Sequence, residues 1–292
     1  MKKAMPALCL AALIICVLSG CRVDDISSFF SRAGQYADTV NHVTEDFTPE
    51  QEYYLGRAVA ARIIEQYPAL KDDKANAYLN QIGQALALCS KQPYTYGGYH
   101  FLLLDAGEVN AFAAPDGFIF VTKGMLRLVS GESELAAVLA HEIAHVQSKD
   151  AVKAIQSSRM TEALVQLGKD SAGKYVSDLP GARLIQLFSG SVDDIVTSLV
   201  TKGYSRSQEY TADTAAKEIL TRTGYDSQFL GAVLRAMEKQ IPSGSSGFGS
   251  THPSAADRLS SLKLPNTPVG QEPEARARRF KAALSTYFAV AP

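Results

Sequence analysis

His141, Glu142 and His145 follow one another in the order His-Glu-x-x-His. On an α-helix, residues four apart share a face, so both imidazoles can offer a nitrogen to one ion at about 2.0–2.1 Å. Glu142 lies beside them, placed to reach a water on that ion without ligating it, which is what metal-assisted hydrolysis requires. Arrays of satisfied histidines also occur on helix surfaces, but here Leu135, Val138, Leu139, Ile143 and Val146 make the lead-in and flank of a packed helix.

A catalytic ion of this kind ordinarily takes three protein ligands and leaves a fourth place open. The extension that would supply a third histidine requires Gly at position 148 and His at 151. The chain has Ser148 and Ala151, which excludes it. A carboxylate from a later helix is the remaining common solution, and Glu209 is the leading candidate. Asp213, one turn further, can accept the second N–H of a ligating imidazole and fix its tautomer. A solvated helix face is the alternative reading of these two acids.

The developing oxyanion of a hydrolysis needs a donor, and His252, Tyr204, Tyr210 and Arg258 are candidates. His252 follows a Gly/Ser-rich stretch, 243–250, that could bring it over the metal, either as a donor or as a fourth ligand that closes the site. A surface histidine preceding Pro253 is the plain alternative. Arg206 and Arg258 are candidates to pair with Asp213 or another buried carboxylate. His42 and His100 are read as structural.

These side chains need helices to hold them, and the chain reads as mostly helical. Thr48-Pro49-Glu50-Gln51 is an N-cap, a Pro in the first turn and a capping-box Gln, starting a helix that runs to about Tyr67. Asp72 or Asp73 opens a second helix that ends before Pro93. Further helices are expected over 125–129, 132–149, 152–167, 182–200, 207–221 and 227–240, with a basic one after a linker over 265–273. The apolar runs 100–105 and 118–122, bounded by turn residues, are expected to pair in a small antiparallel sheet. The fold expectation is therefore mainly α with a small antiparallel β-sheet (α+β).

Of 292 residues, 46% are hydrophobic and 20% charged, an ordinary globular composition. Lys plus Arg total 29 against 30 Asp plus Glu, so no charge bias points to nucleic acid. Lys2 and Lys3 precede an apolar run over 7–18 that is short for a bilayer span and ends in small residues, the pattern of a secretory signal. Leu18-Ser19-Gly20-Cys21 resembles the bacterial lipobox, which implies acylation of Cys21. Ordinary cleavage after a small residue is the alternative. Arg22 in place of Asp implies the periplasmic face of the outer membrane. Cys89 is then the one free thiol of the mature chain, so no internal disulfide is available. The expected organisation is a signal over 1–20, a tether over 21–47, a catalytic domain over 48–264, and a linker and helix over 265–292.

Four segments together resemble the gluzincin peptidases related to the CAAX prenyl protease and to HtpX. They are Asn110-Ala111-Phe112-Ala113 with 117–124, then 141–145, then Ser205-Arg206 with Glu209 and Asp213, then His252-Pro253 with Arg258. The resemblance implies a zincin-like domain holding one Zn²⁺ by His141, His145 and Glu209, with Glu142 as general base on the zinc-bound water. It also implies an upstream strand that binds extended substrate, expected at Phe118, Ile119, Phe120, Val121 and Thr122. No hydrophobic span follows the signal, so the chain is closer to a lipid-tethered envelope protease acting on unfolded or misassembled proteins. A lipoprotein chaperone with a latent or regulatory zinc site is the alternative, as is zinc-dependent hydrolysis of a non-peptide bond.

Overall fold

The computed structural model describes residues 47–154, 196–197, 199, 203–240, 252–264 and 269–288. The expected signal, Cys21 and the tether lie outside the described residues. So do the Gly/Ser stretch before His252 and most of the helices expected over 152–167 and 182–200.

Helix α1, Pro49–Gln66, begins as its sequence predicts: Thr48 and Gln51 form a reciprocal capping box with Pro49 in the first turn. Asp72 caps α2, Asp73–Leu88. Three strands follow: β1 His100–Leu104, β2 Ala111–Ala114 and β3 Phe118–Thr122. Helices α3 Lys123–Leu128, α4 Glu132–Gln147, α5 Arg206–Thr223, α6 Gln228–Gln240, α7 Ala255–Leu262 and α8 Glu274–Leu284 complete the described elements.

The small sheet is mixed rather than antiparallel. Its order is β1-β3-β2, with β1 parallel to β3 and β2 antiparallel to it. The two apolar runs do pair, in register from His100 opposite Phe118 to Leu104 opposite Thr122, but in the same direction. The reason is the intervening chain. Residues 111–114 run back along the far side of β3 and turn tightly into it through Pro115–Gly117, where Asp116 and Gly117 both take positive φ, 59° and 93°. The return strand therefore carries the reversal, and β1 and β3 are left parallel.

Alternation along the strands divides the core in two. Phe101, Leu103, Ala111, Ala113, Ile119 and Val121 face the larger cluster with α2, α4, α5 and α6, whereas Leu104, Phe112, Ala114 and Phe120 face α1 through Leu55, Val59 and Ile63. A sheet covered on both faces needs apolar residues at every position, which is why β1 and β3 read as continuous runs. Helix α4 is buried nearly all round, from Leu135 to Val146, so the histidine-bearing helix is the centre of the molecule. Helix α8 joins the same core through Phe280 and Leu284.

Candidate metal centre

Helix α4 places His141 and His145 one turn apart, with their Nε2 atoms 3.1 Å from each other. Helix α5 crosses it and delivers Glu209 between them, with Oε2 3.5 Å from His141 Nε2 and Oε1 3.4 Å from His145 Nε2. The start of α5 is well determined: Ser205 accepts from Gln208 N, and Gln208 bonds back to the Ser205 N–H. His252, just before α7, brings Nδ1 to 2.6 Å from Glu209 Oε2. One donor atom from each of His141, His145, Glu209 and His252 falls in a group no more than 4.8 Å across. All but His252 are fully buried.

Each α4 histidine is held from behind by a carboxylate. Asp213 Oδ1 lies 3.0 Å from His141 Nδ1, and Asp150 Oδ2 lies 2.8 Å from His145 Nδ1. Both rings therefore turn Nε2 toward the shared space, the orientation that a ligating imidazole needs. Arg258 grips Asp213 with Nε and Nη2, at 2.9 and 2.5 Å, and is itself 1% exposed. This bidentate pairing suits guanidinium geometry.

The site packs acids and bases together out of water, and each shifts its neighbours. Burial pushes the Glu142 carboxyl up, against the pull of the two histidines. Burial also tends to strip the proton from His145, but the bonds to Asp150 and Glu209 outweigh it and hold that imidazole at about 10. Glu209 is buried too, yet His252, His141 and His145 around it keep its carboxyl far below the usual range. Desolvation lowers His252 to about 4. A bound cation would hold both imidazoles neutral, with Nε2 toward the ion and Nδ1–H on the carboxylate behind. The donor set of imidazoles and one carboxylate fits a divalent transition-metal ion. Glu142 stands just aside, with Oε1 buried and without a hydrogen-bond partner among the described residues.

A comparison with protein-family models matches residues 73–266 to Peptidase family M48. The chain belongs to peptidase family M48. Its domain is thus a metalloendopeptidase, and the buried donor group is where the metal dependence of that family fits this chain. Among curated relatives, the beta-barrel assembly-enhancing protease of Yersinia pestis is 25% identical over 79% of this chain and 47% of its own length. The metalloprotease LoiP of Escherichia coli is 26% identical over 88% of this chain and 95% of its own. The mitochondrial metalloendopeptidase OMA1 of Schizosaccharomyces pombe is 30% identical over 56% and 46%. The chain spans about half the length, or less, of the first of these relatives and of its Escherichia coli counterpart.

The remaining expected site residues divide. Tyr204 packs on His145 with the rings tilted by 34° and their centroids 4.5 Å apart, and its hydroxyl approaches the Ala113 carbonyl at 3.5 Å. Arg258 is bonded to Asp213, and its guanidinium also reaches the donor group, with Nη2 3.4 Å from His141 Nε2 and Nη1 3.9 Å from Glu209 Oε2. Arg206 is at the surface with Asp257, 3.9 Å away, and not with Asp213, which lies about two turns further along α5. Tyr210 makes no contact with the donor group among the described residues, being turned about 100° from Glu209 on the same helix.

The expectation that Phe118–Thr122 binds extended substrate is corrected. β3 is the central strand, paired on both sides, and offers no backbone edge. The strand beside α4 is β2. Ala113 lines two adjoining depressions, one with Glu142, Tyr204 and His252, the other with Pro115, Asp116 and His145. Asp150 was not anticipated either. Helix α4 ends at Gln147 and Lys149 takes positive φ, 52°, so the chain folds back and aims Asp150 at His145. An acid shortly after the second histidine is the only sequence signal for it. Gln208 Nε2 donates to Asp150 at 3.1 Å, so the same amide that caps α5 also steadies the anchor of His145.

Proposed function

We propose that this protein is a zinc endopeptidase that cleaves unfolded or misassembled envelope proteins from the periplasmic face of a bacterial membrane, tethered by lipid at Cys21. The observation that carries the reading is the pairing of a buried His141, His145 and Glu209 donor group with the unpartnered Glu142 carboxylate beside the β2 edge. The name of the Yersinia pestis relative, a beta-barrel assembly-enhancing protease, supports the substrate class. No described helix is long and apolar enough to cross a membrane; the lipobox-like Leu18-Ser19-Gly20-Cys21 supports attachment at the N-terminus.

His141, His145 and Glu209 would hold the zinc, which supplies Lewis acidity to the attacking water and the scissile carbonyl. An extended substrate lies along β2, whose Ala113 carbonyl points toward Tyr204 and away from β3. Glu142 takes the proton of the attacking water and returns it to the leaving amine. Burial favours this shuttle by raising the carboxyl toward the pH at which it works. The Tyr204 hydroxyl, which donates to the Ala113 carbonyl at 3.5 Å, lines the same space and would turn to the developing oxyanion when a substrate amide takes that carbonyl. Asp213 and Asp150 keep the two imidazoles turned.

His252 favours a second reading. As a fourth donor it would fill the position that water needs, giving a latent site whose main use is assembly or chaperoning. Zinc content and casein cleavage of wild type, Glu142→Gln and His252→Ala separate the two. The endopeptidase reading expects about one zinc per chain in Glu142→Gln with cleavage abolished; cleavage that survives that change would sink it. Faster cleavage by His252→Ala would establish latency, and slower cleavage would make His252 a participant.

A further inference from the structure

A strip of aromatic side chains lies on the surface at the Asp116 end of the β2 cleft, and nothing in the proposed mechanism uses it. Tyr53 is its hub. Its ring centroid lies 5.4 Å from Tyr54, 5.6 Å from Tyr96 and 6.1 Å from Phe118, and Phe118 in turn stacks on His100 at 5.0 Å. Tyr54 and Tyr96 are 56% and 58% exposed, so large amphipathic faces are turned outward. The strip is built rather than incidental. The Asp116 carboxylate accepts from the Tyr96 and Gly97 amides at 3.0 and 2.8 Å, which locks the 94–98 turn against the β2–β3 hairpin. Tyr53 packs so closely over Gly97 that a Cβ there would lie 2.3 Å from its ring.

The strip adjoins the cleft at Asp116. The depression at the end of β2 is lined by Glu52, Pro115 and Asp116 together with Ala113, Ala114 and His145. Glu52 precedes Tyr53, and Asp116 is the residue to which Tyr96 is tied. A strand laid along β2 from the Glu142 end and continued over Ala114 and Pro115 would head for Asp116 and the turn that carries Tyr96. We propose that this aromatic strip is an extended binding site for unfolded polypeptide, holding apolar and aromatic side chains of the substrate a few residues beyond the scissile bond. The inference rests on the endopeptidase reading for its direction along β2. Rigid tyrosine faces suit such a partner because they bury large area with little loss of side-chain freedom and accept many sequences.

The test measures binding apart from catalysis. The full chain carrying Cys21→Ser, to exclude acylation, and Glu142→Gln, to prevent turnover, is titrated into fluorescein-labelled casein and followed by anisotropy. Adding Tyr54→Ser and Tyr96→Ser should weaken casein binding roughly tenfold, two aromatic contacts' worth. Tyr54→Phe with Tyr96→Phe should restore it, because the rings and not the hydroxyls carry the contact; that rescue also separates the effect from misfolding. Casein affinity unchanged by the serine pair overturns the proposal. So does a loss confined to vesicles of phosphatidylethanolamine and phosphatidylglycerol, which would make the strip a lipid-facing surface. If wild type fails to cleave casein while the strip still governs casein binding, the endopeptidase reading fails and the binding site stands.

Discussion

Asp150 and Arg258 illustrate how much of the metal centre lies behind the groups that would touch the ion. Of the donor group Asp150 bonds only the far nitrogen of His145, yet it sets which nitrogen faces the site. Asp150→Ala should lower metal affinity about 10- to 100-fold, as loss of such a partner does elsewhere, when measured by competition with a chelating dye. Unaltered affinity would mean that packing alone orients the ring. Arg258 is the cation that makes a buried Asp213 tolerable. Arg258→Met strands that carboxylate and should cost about 3–5 kcal/mol in urea unfolding. Adding Asp213→Leu should recover most of the stability, since both charges then leave together, while metal affinity stays low because His141 has lost its anchor.

Among the elements, the β2–β3 hairpin and α1 are the pair that shapes the cleft. Helix α1 packs against the Pro115–Gly117 turn at Gly56, where a Cβ would lie 2.2 Å from the Pro115 carbonyl oxygen. Backbone cannot yield as a side-chain tip can. Gly56→Ala should therefore destabilise by about 1–3 kcal/mol, read from the denaturation midpoint. A wild-type midpoint would show that α1 can lift from the hairpin. The existence of the helices could be read from the capping box at Thr48 and from apolar spacing elsewhere, whereas the box at Ser205 starts α5 before the expected 207. β2 could not be read from propensity, because Ala-Phe-Ala-Ala is a poor strand sequence. The sign that was there is Asp116-Gly117, a strong hairpin pair, which demands that β3 be partnered by the residues immediately before it. Helix α7 is short, eight residues, and too brief to announce itself by periodicity.

Across the whole molecule, α4 is a central pillar fixed at both ends. Its C-terminal end carries the donor group. At its N-terminal end the buried Glu132 accepts from Tyr78 at 2.7 Å, Tyr225 at 3.0 Å and Arg279 at 2.6 Å, which joins α2, α6's lead-in and α8 to the same helix. Tyr78→Phe removes one bond to a buried charge and should cost about 1.5–3 kcal/mol of unfolding free energy; a smaller loss would mean that the remaining donors close over the gap. Removing the metal acts on the other end. Because an ion that binds only the folded chain stabilises it, chelation should lower Tm, and restoring zinc at 1,000 times its Kd should recover about 4 kcal/mol. Identical melting with and without chelator would argue that the donor group binds no ion in solution.

His141, Glu142 and His145 were legible because their chemistry needs only one helix: a spacing of four is a statement about a face, and local hydrogen bonding guarantees it. The capping signals and the missing third histidine were local in the same sense. Glu209, 64 residues beyond His145, could only be nominated. Tertiary structure alone decided that α5 crosses α4 at that residue, that Arg258 and not Arg206 answers Asp213, and that β2 rather than β3 is the strand beside the site. Those outcomes depend on which faces of separate elements bury against one another. That choice is made by the packing of the whole apolar core, and no short stretch of sequence contains it.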